Sequence, residues 1–326
     1  MYTVVLLAVQ NCMYSSTTGP FDFFSVASSE AQRMSGVVTT EPLFKPVVVA
    51  PANREITDFN GMPVPAGAFF ERNTIYDIVF IPVIFGDLET LLADSETIDW
   101  LTRQGQEGAC LCSVCAGAFL LAQTGLLKGR KATTHWNLAD SFAKLFPDII
   151  LKREKMLIDE GDCITAGGVS AYLDLSLYLT ARFGTPELAA SLSRILLIDP
   201  ARRLQSPYQT CYFNKHHGDM EILAIQEWLE DNFAQPVTLH ILASRVALGE
   251  RTFMRRFKKA TGDTPLEYLQ HLRVEAARKL LETTSETIDG ITLQSGYEDI
   301  SSFRKLFKSH TGLSPSVYRK KFSCLV

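Results

Sequence analysis

Apolar positions in the first two hundred residues follow two alternating rhythms. Short β-branched-rich runs at residues 3–9, 46–50, 75–83 and 109–114 read as buried strands. Most are followed by a turn and a segment of helical periodicity, as at 99–104, 116–127 and 137–146. In 169–183 the apolar positions Tyr172, Leu175, Leu179 and Phe183 again fall at helical spacing. This alternation predicts an α/β domain over 1–198, a parallel sheet covered by helices. At 199–218 the rhythm lapses into DPARRLQSPYQTCYFNKHHG, which reads as a linker. From 219 to 326 every periodic stretch is helical, and 237–239 reads as a helix start, not a strand.

The helical region repeats itself. Laid over itself at an offset of 50, RRFKKATGDTPLEY (255–268) meets KLFKSHTGLSPSVY (305–318). Phe257, Lys258, Thr261, Gly262, Pro265 and Tyr268 recur as Phe307, Lys308, Thr311, Gly312, Pro315 and Tyr318. Apolar periodicity alone does not reproduce Thr-Gly-x-(Thr/Ser)-Pro twice, so two copies of one small unit are expected. In each copy the glycine ends a helix, and Thr264 or Ser314 caps the next with proline at its first position. Glu267 completes a capping box with Thr264. The helix it opens is expected to bury Leu266, Leu269, Leu272, Ala276, Leu280 and Leu281 on one face and to hold the copies apart.

Each copy also contains a helix-turn-helix pattern. In the first, helices at 239–246 and 250–260 flank a turn at 247–249; in the second, 288–294 and 300–309 flank 295–299. Phe253 and Phe257 are expected to be buried, with Arg251, Arg255 and Lys258 on the open face. In the second copy Ile300, Phe303 and Phe307 face inward while Ser301, Arg304, Lys305 and Lys308 face out. A short helix bearing long donors on one stripe fits a DNA major groove.

Charge changes the picture only locally. The whole chain of 326 residues carries −4, with pI near 5.9, which by itself argues for no nucleic acid. Before Gly218 stand 17 basic and 22 acidic residues, and from there on 15 and 14. Basic residues number nine against four acidic over 245–279, and six against none over 304–321. Phosphate binding draws on such local concentrations. A composition of 46% hydrophobic and 21% charged residues excludes a mainly disordered chain. No stretch is apolar for long enough to span a membrane, and the N-terminus lacks a signal-peptide pattern. Seven scattered cysteines, an odd number, point to a reducing cytoplasm.

These features together carry a resemblance. Residues 219–322, with SGYEDISSFRKLFKSHTGLSPSVYRKKF as the second-unit signature, resemble the AraC/XylS family of DNA-binding domains. The resemblance implies that the helices at 250–260 and 300–309 enter successive major-groove segments of double-stranded promoter DNA. It assigns base reading to Arg251, Met254 and Arg255, and to Ser301, Arg304 and Lys305. Met254 has no donor and would make an apolar contact. Lys258, Lys259 and Lys308 would hold phosphates.

The first domain has its own chemistry-bearing stretch, ACLCSVCAGAFLLAQTGLLKGRKATTHW (109–136). A buried strand runs through Ser113-Val114-Cys115-Ala116-Gly117 straight into a helix, the form of a nucleophile elbow. A thiol there sits at a helix N-terminus, where the dipole favours thiolate, and His135 is placed to act as its base. Equally, Cys115 reads as a small buried hydrophobe and His135 as a hydrogen-bonded core residue. Strand alternation sends Cys110 and Cys112 to one face while Cys115 lies beyond the strand. No second ligand cluster accompanies them, so neither a metal nor a cofactor is expected.

Gly19-Pro20-Phe21-Asp22-Phe23-Phe24, the Cys115 elbow, the stretch from Gly129 to Trp136 and AGGVSAYLDLSLYL (166–179) resemble the PfpI/ThiJ superfamily. That superfamily shares its fold with class I glutamine amidotransferases, so the resemblance implies a flavodoxin-like parallel-sheet sandwich for 1–198, followed by an all-α domain with two helix-turn-helix units. With the AraC-type region attached, the chain resembles the GlxA-like regulators. Two positions depart from hydrolytic members: Ser16 stands where they place an acid, and Pro82 precedes Val83 and Ile84 where they commonly carry Gly-Gly for an oxyanion hole.

The resemblance implies a cytoplasmic transcription regulator, a homodimer, with no catalytic residues. Its first domain would bind a small-molecule effector near Cys115, His135, Ser16, Ile84 and Ala116, at the strand C-terminal ends. RNA polymerase is a further partner if the protein is an activator. Two alternatives remain open: a cysteine-dependent hydrolase or hydratase with a DNA-binding domain attached, and a first domain that only dimerises.

Overall fold

The computed structural model describes residues 1–36, 41–52, 54–211 and 213–323, so Cys324 lies outside the described residues. The chain divides into two compact units, Met1–Gln205 and Ser206–Val326.

In the first unit the strands are, in chain order, β1 (Tyr2–Leu7), β2 (Phe44–Ala50), β3 (Ala68–Phe69), β4 (Ile78–Ile81), β5 (Cys110–Val114), β6 (Lys131–Ala132), β7 (Ile150–Leu151), β8 (Leu157–Asp159) and β9 (Cys163–Ala166). Seven form one sheet in the order β3-β2-β1-β4-β5-β9-β8, parallel throughout except for β8 at the edge, and β6 pairs with β7 apart from it. The inner five strands have the flavodoxin-like order.

Its helices are α1 (Tyr14–Ser35), α2 (Leu88–Leu92), α3 (Ser95–Gln106), α4 (Gly117–Gln123), α5 (Ala139–Leu145), α6 (Ala171–Phe183) and α7 (Pro186–Ile195). Helices α1, α6 and α7 pack together as one layer, and α2, α3 and α4 as another. Strands covered on both faces have no solvent side to give a polar rhythm, which is why β4 and β5 are buried at every position.

No periodic run announces α1, whose opening turns are Ser15-Ser16-Thr17-Thr18-Gly19-Pro20. The helix runs through them because α6 packs closely there: a Cβ on Gly19 would stand 2.7 Å from Tyr172 Cε2. The stretch 199–218 is built into both units. Arg203 O accepts from Met156 N at 3.0 Å and Gln205 N donates to Glu154 O at 2.9 Å, fastening the chain to the first unit as far as Gln205. Beyond it comes one helical turn, Ser206–Tyr208, in the second unit.

The second unit contains α8 (Met220–Asn232), α9 (Leu239–Arg245), α10 (Glu250–Thr261), α11 (Pro265–Thr283), α12 (Ile288–Gln294), α13 (Ile300–Thr311) and α14 (Pro315–Phe322). It has two small cores. One joins Ile222, Leu229, Leu242, Phe253, Phe257 and Tyr268; the other joins Ile291, Phe303, Phe307 and Tyr318. Burying each phenylalanine is worth about 1.5–3 kcal/mol.

The repeat extends to single hydrogen bonds. Thr261 Oγ1 donates to Phe257 O at 2.9 Å and Thr311 Oγ1 to Phe307 O at 2.8 Å, and both helices end in a left-handed glycine, Gly262 or Gly312. The Thr264–Glu267 capping box is present.

Helix α11 corrects the sequence expectation. It does not bury one face: Leu266 is 51% exposed, and Ala276 and Leu280 are half-buried. Tyr268, Leu269 and Leu272 enter the first core, whereas Val274, Ala277 and Leu281 enter the second. Serving two cores in succession moves the buried stripe around the helix midway. Ile300, expected inside, is half-buried at the first turn of α13.

Candidate nucleic-acid interface and candidate ligand site

On α10, Phe253 and Phe257 are fully buried, which turns Arg251, Met254, Arg255, Lys258 and Lys259 outward. The same logic on α13 buries Phe303 and Phe307 and exposes Ser301, Arg304, Lys305 and Lys308. Among the described residues, Arg251, Arg255, Lys258, Lys305 and Lys308 have no ion pair, and Arg304 meets only Asp289, at 3.8 Å between two exposed side chains. Pairs so exposed contribute little and leave the cation available. Arg256, beside these residues in sequence, is different: its guanidinium holds Asp219 at 2.7 Å and also Glu221, fixing α10 to the start of α8. Those two carboxylates raise the Arg256 pKa further.

The turns that precede α10 and α13 differ. Gly249 caps α10 without a side chain, while Asp299 caps α13 by accepting from Ser301 N at 3.2 Å and Ser302 N at 2.8 Å. Hydrogen bonds from Ser302, followed by that from Ser301 N, hold the Asp299 carboxyl below its usual range. Two similar stripes of exposed donors, with Arg304 alone in a loose ion pair among the described residues, therefore project from two similar supports.

In the first unit β5 runs into α4 through Cys115, which has φ +55°, uncommon for a non-glycine residue and the mark of a sharp elbow. Gly117 makes the turn possible, since a Cβ there would stand 2.5 Å from Pro82 O. Cys115 N donates to Ala166 O at 2.8 Å, and Thr134 Oγ1 donates to Cys115 O at 2.8 Å.

Cys115 is 5% exposed, and burial pushes its pKa up to about 11, against a small lowering by the Ala116 backbone. Of the two readings of Cys115, its burial therefore favours the small buried hydrophobe over the thiolate. His135 is half-buried, its pKa lowered by burial, and its Nδ1 accepts from Asn137 N at 3.1 Å. Among the described residues no hydrogen bond joins His135 to Cys115.

Ser16, Ile84 and Ala116 are buried, and Ser16 holds a specific place. Its Oγ donates to Met13 O at 2.8 Å and accepts from Val83 N at 3.0 Å. A backbone donor after Pro82 that could have faced an oxyanion is thus already engaged. Among the described residues no group of three or more His, Cys, Asp or Glu is placed to hold a metal. Cys110 and Cys112 do lie on one face, their sulfurs 3.8 Å apart.

One residue behind this site has no sequence signal. Gln205 is 2% exposed; its Nε2 donates to Thr134 O at 2.8 Å and Lys155 O at 2.8 Å, and its Oε1 accepts from Trp136 N at 3.1 Å. It supports the Thr134–Trp136 turn from the far end of the unit, seventy residues along the chain.

Comparison with known proteins agrees with both halves of this architecture. Residues 25–182 match the DJ-1/PfpI family, and residues 242–321 match a helix-turn-helix domain family. The HTH-type transcriptional regulator CdhR of Pseudomonas aeruginosa is 29% identical over 79% of this chain and 76% of its own length. The HTH-type transcriptional regulator GlxA of Rhizobium meliloti is 24% identical over 92% of this chain and 93% of its own. An isonitrile hydratase of Pseudomonas putida is 30% identical over 38% of this chain and 53% of its own length. The chain is therefore similar over 25–182 to the DJ-1/PfpI family, with a flavodoxin-like strand order, and over 242–321 to a helix-turn-helix domain family.

Proposed function

We propose that the chain is a sequence-specific DNA-binding transcription regulator whose first unit binds a small metabolite and does no chemistry on it. The paired stripes on α10 and α13 are the observation that carries this reading. Arg251, Met254 and Arg255, with Ser301, Arg304 and Lys305, read base edges, while Lys258, Lys259 and Lys308 hold phosphates. The effector lies near Cys115, Ala116, His135, Ser16 and Ile84, at the strand C-terminal ends. The regulator works as a homodimer in the cytoplasm, and contact with RNA polymerase follows if it activates. A protonated, buried Cys115, a His135 hydrogen-bonded to Asn137 N and not to Cys115, and an engaged Val83 N–H together support a binding role over turnover. A metabolite thermal-shift screen of the full chain, followed by footprinting with any hit, tests the proposal. A hit that shifts the unfolding temperature and alters the footprint supports it; footprints indifferent to every hit contradict it.

The elbow geometry at Cys115 favours one second reading, a cysteine-dependent hydrolase or hydratase that also binds DNA. That reading requires turnover of an amide or isonitrile that Cys115→Ala abolishes. No turnover across such substrates, with ligand binding intact, eliminates it.

A further inference from the structure

Away from Cys115, the first unit has a cavity of about 620 Å³ between α6, α7, the start of β8 and the chain at 200–203. The size suits a small organic molecule. Its floor is apolar, with Met156, Leu177, Ala181, Ala190 and Pro200 among the lining residues, and the alanines on the facing helices leave the space open.

The polar groups of the lining divide into engaged and free. Asp174 is neutralised by Arg202, whose Nε donates to it at 3.1 Å and whose Nη2 closes a second bond. The Tyr178 hydroxyl is bonded to Asp159. Lys155 and Arg203 remain: both are exposed lining residues, and neither side chain has a hydrogen bond or ion pair among the described residues. Once the Asp174–Arg202 pair is set aside, the lining carries two uncompensated positive charges over an apolar floor.

We propose that this cavity is a second ligand site, separate from the one at Cys115, for an anionic amphiphile: a carboxylate on an aliphatic or aromatic body. The body covers the Met156–Leu177–Ala190 floor, and the carboxylate accepts from Lys155 and Arg203, whose charge-assisted bonds strengthen as water leaves. A cationic or neutral molecule of equal size gains the floor but not the two donors. Because Arg203 lies two residues before Gln205, a bound carboxylate also stiffens the segment by which the chain leaves the first unit.

Calorimetric titration of the full chain with octanoate, octanol and octylammonium tests this. Saturable octanoate binding is expected, with octanol about tenfold weaker or worse and octylammonium undetectable. Lys155→Ala with Arg203→Ala, both at exposed side chains, should weaken octanoate about tenfold or more; Ala190→Trp should abolish it by filling the cavity; Cys115→Ala should leave it unchanged. Absent octanoate binding, equal binding of octylammonium, or affinity indifferent to the Lys155/Arg203 double variant overturns the proposal. Loss of octanoate binding in Cys115→Ala also overturns it, because the ligand would then occupy the other site.

Discussion

Ser16 Oγ accepts the backbone N–H of Val83 at 3.0 Å, with both residues fully buried. The hydroxyl ties α1 to the loop after β4 and takes up a donor that an acyl-transfer site would leave free for the reacting oxygen. Ser16→Ala removes the acceptor that the buried Val83 N–H has in this structure. The expected cost is about 1–3 kcal/mol in urea denaturation, with DNA affinity unchanged.

Burial of the Cys115 thiol fixes its reactivity. With its pKa raised to about 11, the group is protonated from neutral pH up to that value. Iodoacetamide alkylation of Cys115, followed by peptide mass spectrometry on native protein, should be negligible at pH 7 and climb only as pH approaches 11. Rapid modification at pH 7 would show an activated thiolate and reopen the catalytic reading.

Gln205 supports the turn that in turn supports Cys115. Replacing it with leucine leaves Trp136 N without its partner and removes the donor from Thr134 O and Lys155 O. Because Thr133 Oγ1 still donates to Lys155 O at 2.9 Å, the main loss is at Trp136 N; Gln205→Leu should destabilise the first unit by about 1–3 kcal/mol and speed proteolysis within 199–218. A variant as stable and protease-resistant as wild type would show that Gln205 is incidental.

Much of this was legible because some signals are local. The offset-50 repeat placed Phe253, Phe257, Phe303 and Phe307 inside and their basic neighbours outside, since helical spacing ties each exposed position to a buried one. The central strands declared themselves by unbroken apolar runs. Other features depend on partners far along the chain. Helix α1 hides behind Gly19-Pro20 because its reason is Tyr172, and β9, four residues long, is too short to carry a period. Gln205 looks like any polar linker residue until Thr134 and Trp136 are placed around it. The sequence leaves two readings of the Cys115 thiol open for the same cause: a helix N-terminus is visible in sequence, but the depth of burial is not.

The two kinds of DNA contact should separate experimentally. With Lys258 in the phosphate-holding role proposed for it, Lys258→Ala should lower affinity on all sequences alike and shrink the salt slope by roughly one. Arg255→Ala should instead cost about 1–3 kcal/mol on the preferred site and relax selectivity there. Competition binding at several salt concentrations distinguishes them. Equal losses on preferred and random DNA for Arg255→Ala would move that residue to the phosphate class.

The central claim is that α10 and α13 together read DNA. The most direct measurement is footprinting on duplexes selected by the wild-type chain from a random library, repeated with the Arg255→Glu, Lys305→Glu double variant. Both side chains are exposed and unpaired, so the fold should survive, as circular dichroism can verify. The wild type should show two protected segments and the variant no specific protection. An unchanged footprint from the folded double variant would contradict the claim.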